Sequence, residues 1–186
     1  MPNLKGHIIG AVLMFPVYYA AYHAIGVLTN DPYRPSSGVL TLAYAVFVIG
    51  GDLPDIDAQA APMRWFAQAL VPAMLLMSLW NFKPFERYFE FGSWGDVIYL
   101  TILVIGGFVL GYLLRFLKHR GFLHTITFAV FYAGIVYSWA RWGMNFKGND
   151  LIFTALAAFF GVYTHLLLDY KNPAVILRIF PKGPFS

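Results

Sequence analysis

Six apolar stretches, separated by short polar breaks, constrain this chain more than any other feature. They fall at about residues 7–28, 37–50, 65–80, 96–117, 122–142 and 150–168. A bilayer's hydrocarbon core takes roughly 20 apolar residues of helix. The second and third stretches are shorter than that, so each can be a short helix packed inside the bundle. The expected fold is all-α: a polytopic transmembrane helical bundle of about six membrane-associated helices. Composition agrees, because 59% of the residues are hydrophobic and 12% charged, against about 25% charged in soluble domains. Such a surface needs lipid as its solvent, so membrane lipids are the expected partners.

No linker or repeat divides the chain, and residues 1–186 read as one domain. Pro16 and Pro72 lie inside the first and third stretches as expected kinks. Gly106, Gly107 and Gly111 are small packing residues in the fourth. Residues 81–95, rich in Phe, Tyr and Trp, suit the head-group region. Lys5 followed by an apolar run resembles a signal peptide. The run is longer than a signal h-region, however, and cleavage near Ala20 or Ala24 would remove His7.

Six crossings put both termini on one side. That side then carries eight basic residues (Lys5, Arg64, Arg115, Lys118, Arg120, Lys171, Arg178 and Lys182) and the other five (Arg34, Lys83, Arg87, Arg141 and Lys147). The positive-inside rule therefore points to cytoplasmic termini in the inner membrane. The net charge of +4 is accounted for by this topology and by anionic lipid, and nucleic acid is not indicated.

Four polar clusters interrupt the apolar background, and the six-span reading puts all of them on the side of the termini. They are His7, the Asp52-Leu53-Pro54-Asp55-Ile56-Asp57 segment, His119-Arg120-Gly121-Phe122-Leu123-His124, and His165 with Asp169. The i, i+4 spacing of His165 and Asp169 puts both on one helix face, about 6 Å apart. That separation suits two ligands of one ion, or an imidazole oriented by a carboxylate. The competing reading is an interfacial His and a helix-ending Asp, although an Asp there opposes the helix dipole. Three carboxylates within six residues repel unless a cation relieves them, and Pro54 can turn them toward one centre. A solvated acidic loop is the alternative. Gly121 allows a turn that aligns His119 with His124. Arg120 can clamp a phosphate or carboxylate, or snorkel with Arg115 and Lys118. His23 lies about 24 Å along the helix from His7 and reads as structural.

With no cysteine in the chain, any metal must be held by imidazole and carboxylate. That favours zinc, manganese or iron over a sulfur-loving ion. The expected ligands are His7, Asp55, His119, His124, His165 and Asp169. Asp52 and Asp57 would be further ligands or catalytic carboxylates, with Arg120 steadying an anionic substrate.

In this order, the clusters resemble the YdjM-like family of membrane-bound, metal-dependent hydrolases, some described as LexA-regulated. The matching positions are His7, Gly51 to Asp57, His119 to Thr125, and His165 to Asp169. The chain departs from the family at Ala58 and Gln59, where His-Pro often follows, and around Lys171 to Ala174, after the last Asp. The family is distantly similar to helical zinc enzymes of the phospholipase C and single-strand nuclease type, which implies phosphoester chemistry by analogy. The resemblance therefore implies a metal-dependent hydrolase with one to three divalent ions and a metal-activated water, acting on a lipid or lipid-linked phosphoester. The rival expectations are a metal or proton transporter built on the same ligands, and a non-catalytic membrane scaffold.

Overall fold

The computed structural model describes residues 4–57, 97–98, 101, 105–106, 109 and 122–170, without the side chains of Leu4, Lys5, Ile56 and Asp57. Expectations for residues 65–80 and 81–95, for His119 and Arg120, and for the Asp57 side chain lie outside the described residues, as does most of 96–117. Within them the chain is all-α and no strand occurs. Helix α1 spans Leu4–Leu28 and α2 spans Ser37–Gly50, followed by a 3-10 turn over Leu53–Asp57. A second 3-10 turn, Phe122–His124, precedes α3 over Ile126–Ser138. A π-helical turn, Trp139–Gly143, ends that segment, and α4 spans Gly148–Asp169.

Helix α1 continues through Pro16. Its end follows from Asn30, whose left-handed φ of 58° turns the chain out of the helix. Ser36 caps α2, its hydroxyl accepting from the Val39 amide at 3.3 Å. The stretch expected as one helix from residue 122 starts later, at Ile126. Thr125 takes extended backbone and caps α3, its Oγ1 accepting from the Phe128 amide at 3.2 Å and donating to the Phe122 carbonyl at 2.6 Å. Those side-chain bonds satisfy the first turn and hold the preceding 3-10 turn against it.

Helix α4 is the centre of the bundle and packs on α1, α2 and α3. Of its most apolar window 56% is buried, against 17% for α1. Both are long and apolar enough to cross a membrane. Ile9, Leu13, Val17 and Ile25 of α1 stand exposed, as do Val130 and Phe131 of α3. In water these side chains would forfeit about 25 cal/mol per Å²; facing lipid they cost nothing. The interior is aromatic, with Tyr18 against Phe15, Phe47 and Phe153 and Phe15 edge-on to Phe47. Two buried hydroxyls tie it across helices: Tyr18 donates to the Phe153 carbonyl at 2.6 Å and Tyr132 to the Val46 carbonyl at 3.2 Å.

Two glycines set how closely the helices approach. A Cβ on Gly161 of α4 would run into the Phe47 carbonyl of α2, and one on Gly51 would lie 2.5 Å from the Ala11 Cβ of α1. Side chains are impossible at both contacts without separating the helices. His165 lies one turn beyond Gly161 and His7 one turn before Ala11, so the same close packing brings three helix ends together at Gly51.

Candidate metal centre

His7 at the start of α1, Asp52 and Asp55 after α2, His124 before α3, and His165 and Asp169 at the end of α4 meet at one end of the bundle. His165 is 0% exposed, His7 1%, Asp52 0% and His124 4%. The carboxylate of Asp55 is partly open and that of Asp169 nearly closed. This is a charged constellation inside an apolar bundle, where such groups are costly unless paired or ligated.

The imidazole Nε2 atoms face the two carboxylates. His124 Nε2 lies 3.4 Å from Asp55 Oδ1 and 3.6 Å from Asp169 Oδ2. His165 Nε2 lies 3.7 Å from the same Asp55 oxygen and 3.6 Å from the same Asp169 oxygen. His7 Nε2 comes from the other edge, 3.8 Å from Asp55 Oδ2 and 3.4 Å from Asp169 Oδ1. These distances, 3.4–3.8 Å, are long for hydrogen bonds. Four of the six match ligand atoms around one ion, since tetrahedral donors at about 2.0–2.2 Å from zinc are about 3.3–3.6 Å apart, and the two to Asp55 from His165 and His7 are slightly longer. One ligand atom from each of Asp55, His124, His165 and Asp169 falls within 4.8 Å of the others, so these four can hold a metal ion.

The tautomer of His165 is set by the backbone. Its Nδ1 lies 3.0 Å from the Gly51 carbonyl, which can only accept, so Nδ1 carries a proton and, in the neutral ring, Nε2 presents a lone pair. That Nε2 is buried without a hydrogen-bond partner, as are both oxygens of Asp52. Buried polar atoms are normally satisfied, and a cation could satisfy this donor set. Burial, with Asp55 nearby, pushes the Asp52 carboxyl up to about 6 against the pull of His165 and His7. Burial also acts to raise Asp55, but the imidazoles of His124, His165 and His7 outweigh it and hold that carboxyl below its ordinary value.

Of the residues expected at the site, the fold brings together His7, Asp52, Asp55, His124, His165 and Asp169. His119, Arg120 and the Asp57 side chain fall outside the described residues. His23 is apart from the cluster: its Nδ1 lies 3.2 Å from the Tyr33 carbonyl near the other end of α1, in line with the structural reading. The Gly51 carbonyl was not anticipated, because a backbone acceptor leaves no mark in residue type. The adjacent Gly50-Gly51 pair was the available hint of a close helix approach.

Fold and site together define an all-α membrane protein with a buried His/Asp cluster able to bind a metal. The chain belongs to the YdjM inner membrane protein family, whose model matches residues 1–183. Comparison with curated proteins and with solved structures gives no match.

Proposed function

We propose that this chain is a membrane-embedded, metal-dependent hydrolase acting on a phosphoester carried by a lipid or lipid-linked molecule. The observation that carries the reading is His165, whose Gly51-fixed tautomer aims an unpartnered, fully buried Nε2 at the carboxylates of Asp55 and Asp169. Zinc suits the imidazole and carboxylate set best, with manganese or iron as alternatives. A divalent ion bound here supplies Lewis acidity and brings the pKa of a water down to about 7. His124, His165, Asp55 and Asp169 would hold it. Asp55, the more open carboxylate, faces the substrate side, and Asp52 adds negative charge behind it. Arg120 would steady the phosphoryl oxygens with its planar fork.

Support for a lipid substrate comes from a largely apolar groove of about 660 Å³ between α1 and α4, which runs from Asp31, Tyr33 and Asn149 at the far end to Thr164 and Leu167. Leu167 and Thr164 form part of its wall within one helical turn of His165 and Asp169. An acyl chain lying there would leave its head group near the cluster. A transport path needs ionisable or polar groups at mid-bundle free to handle a cargo; the described interior is mainly Phe15, Val46, Phe47 and Phe153, with its Tyr18, Tyr132 and Thr154 hydroxyls bonded to backbone carbonyls.

The test is a panel of soluble phosphoesters and phospholipids assayed in detergent. Hydrolysis should disappear with a chelator and return with zinc or manganese. Activity that survives exhaustive chelation removes metal catalysis. We further propose a multi-pass topology with both termini cytoplasmic. Reporter fusions at the two ends should report the same side, and opposite sides would sink the six-span reading.

A further inference from the structure

On the reading of the cluster as a metal centre, we propose that it holds two ions rather than one. Asp55 and Asp169 would bridge them, with His124 and His165 on one ion and His7 on the other.

The first observation is how the carboxylate oxygens divide. His124 and His165 both face Asp55 Oδ1 and Asp169 Oδ2, while His7 faces Asp55 Oδ2 and Asp169 Oδ1. Each carboxylate therefore turns one oxygen to each side. A carboxylate serving one ion has no such demand on its second oxygen.

The second observation is the attitude of the rings, and it is independent of the oxygens. Two imidazoles bound to one tetrahedral ion radiate from it. With metal–nitrogen bonds of about 2.0–2.1 Å, their ring centres sit about 5 Å apart and cannot lie face to face. His124 and His165 fit this, at 5.2 Å between centroids and 69° between planes. His7 and His165 do not, because their rings are stacked at 4.1 Å with planes 20° apart. Stacked rings whose Nε2 atoms face the same carboxylate pair run side by side. They therefore deliver lone pairs to two points separated by about the stacking distance. Paired catalytic metals lie about 3.5–4 Å apart.

Charge points the same way. Asp52, Asp55 and Asp169 bring three negative charges to a site whose imidazoles must be neutral to ligate. One divalent ion leaves a buried negative charge, which would repel a phosphoester. Two leave a net positive charge, which attracts one. Asp52, with both oxygens buried and without a hydrogen-bond partner, lies within electrostatic reach of both His165 and His7 and is a further carboxylate available to the pair.

The experiment is metal counting on the full-length protein in detergent, with electron paramagnetic resonance of the manganese-loaded form. Wild type should bind two ions per chain at saturation and give the broadened spectrum of a spin-coupled pair. His7→Ala should retain one ion and give the six-line spectrum of isolated manganese. His7→Gln is the fallback should the alanine variant not fold. One ion per chain in the wild type, with an uncoupled spectrum, overturns the two-ion centre and leaves the hydrolase reading standing. Two coupled ions retained in both His7 variants also overturn it. A protein that binds no metal at all overturns both.

Discussion

Helices α1 and α4 carry polar residues at both ends, and the two ends are built in opposite ways. At one end His23 meets the Tyr33 carbonyl, the Tyr33 hydroxyl meets Asp150, and Asn149 donates to Asp31 at 3.3 Å. Asp31 is exposed and its neighbours are half-buried, so water can meet any remaining demand. At the other end His7, Asp52 and His165 are sealed from solvent, and each keeps at least one side-chain atom without a hydrogen-bond partner. Both ends draw on His and Asp, one His and two Asp at the first and three of each at the second. What separates them is satisfaction: the first end is closed by hydrogen bonds within the protein, and the second is a cluster able to take a metal ion.

The strongest way to break this comparison is to remove a ligand. His165→Ala and Asp169→Ala should each lower metal affinity by more than about 100-fold, because loss of a partner one step removed from the ion already costs about 10–100-fold. His23→Ala, at the satisfied end, should leave metal content unchanged. Metal per protein and a competition titration measure this, with folding checked by thermal unfolding. Wild-type occupancy in both site variants would make the two ends equivalent.

A subtler break acts through packing. Gly161→Ala drives a methyl group into the Phe47 carbonyl, and overpacking of this kind costs about 1–3 kcal/mol. The strain would part α2 from α4 where the Gly51 carbonyl holds His165, so metal affinity should fall by about tenfold as well. Gly134→Ala on α3 is the control. Nothing lies within 4 Å of its added Cβ, so helix propensity alone predicts a gain of up to about 1 kcal/mol and no change in metal. If Gly161→Ala loses stability but keeps full metal affinity, the centre is not held by helix spacing.

Smaller still is the effect of the cap beside His124. Thr125→Ala removes the bonds to Phe128 and Phe122 and should cost about 1 kcal/mol. Metal affinity should weaken by less than tenfold, because His124 keeps its place in sequence but loses the fixed turn that aims it. Thr125→Ser should restore both. A stability loss with unchanged metal binding would show that the turn holds its shape without the cap.

Much of this was legible in the sequence because it rests on local spacing. The second apolar stretch, residues 37–50, coincides with α2, and the sixth differs from α4 by a residue or two at each end. The one-turn separation of His165 and Asp169 foretold that both would face one centre. The delay of α3 to Ile126 was missed because the apolar pattern runs on through Thr125, and hydropathy does not register a capping hydroxyl. Sequence spacing was also blind to the facts that require two helices at once. The contact of Gly161 with Phe47, the Gly51 carbonyl on His165 and the stacking of His7 on His165 depend on which helices become neighbours, and no single stretch of chain encodes that.

The weakest perturbation sharpens the comparison from the other side. Burial, reinforced by the adjacent Asp150 carboxylate, raises the Tyr33 phenol well above its ordinary range. Tyr33 is therefore a hydroxyl donor to Asp150 at any physiological pH. Tyr33→Phe removes that donor and keeps the ring that packs edge-on against Tyr22 and tilted against Phe153. A hydrogen bond to a charged acceptor contributes about 1.5–3 kcal/mol when desolvated. This pair is half-buried, so water can replace the lost donor, and the expected cost is below about 1 kcal/mol. Metal content should match wild type, because among the described residues the aromatic side chains of Phe15, Phe47 and Phe153 lie between the two ends. Thermal unfolding and metal counting on the same preparation read both quantities. A drop in metal content in Tyr33→Phe, at unchanged melting temperature, would mean that the two ends are coupled through the α1–α4 pair.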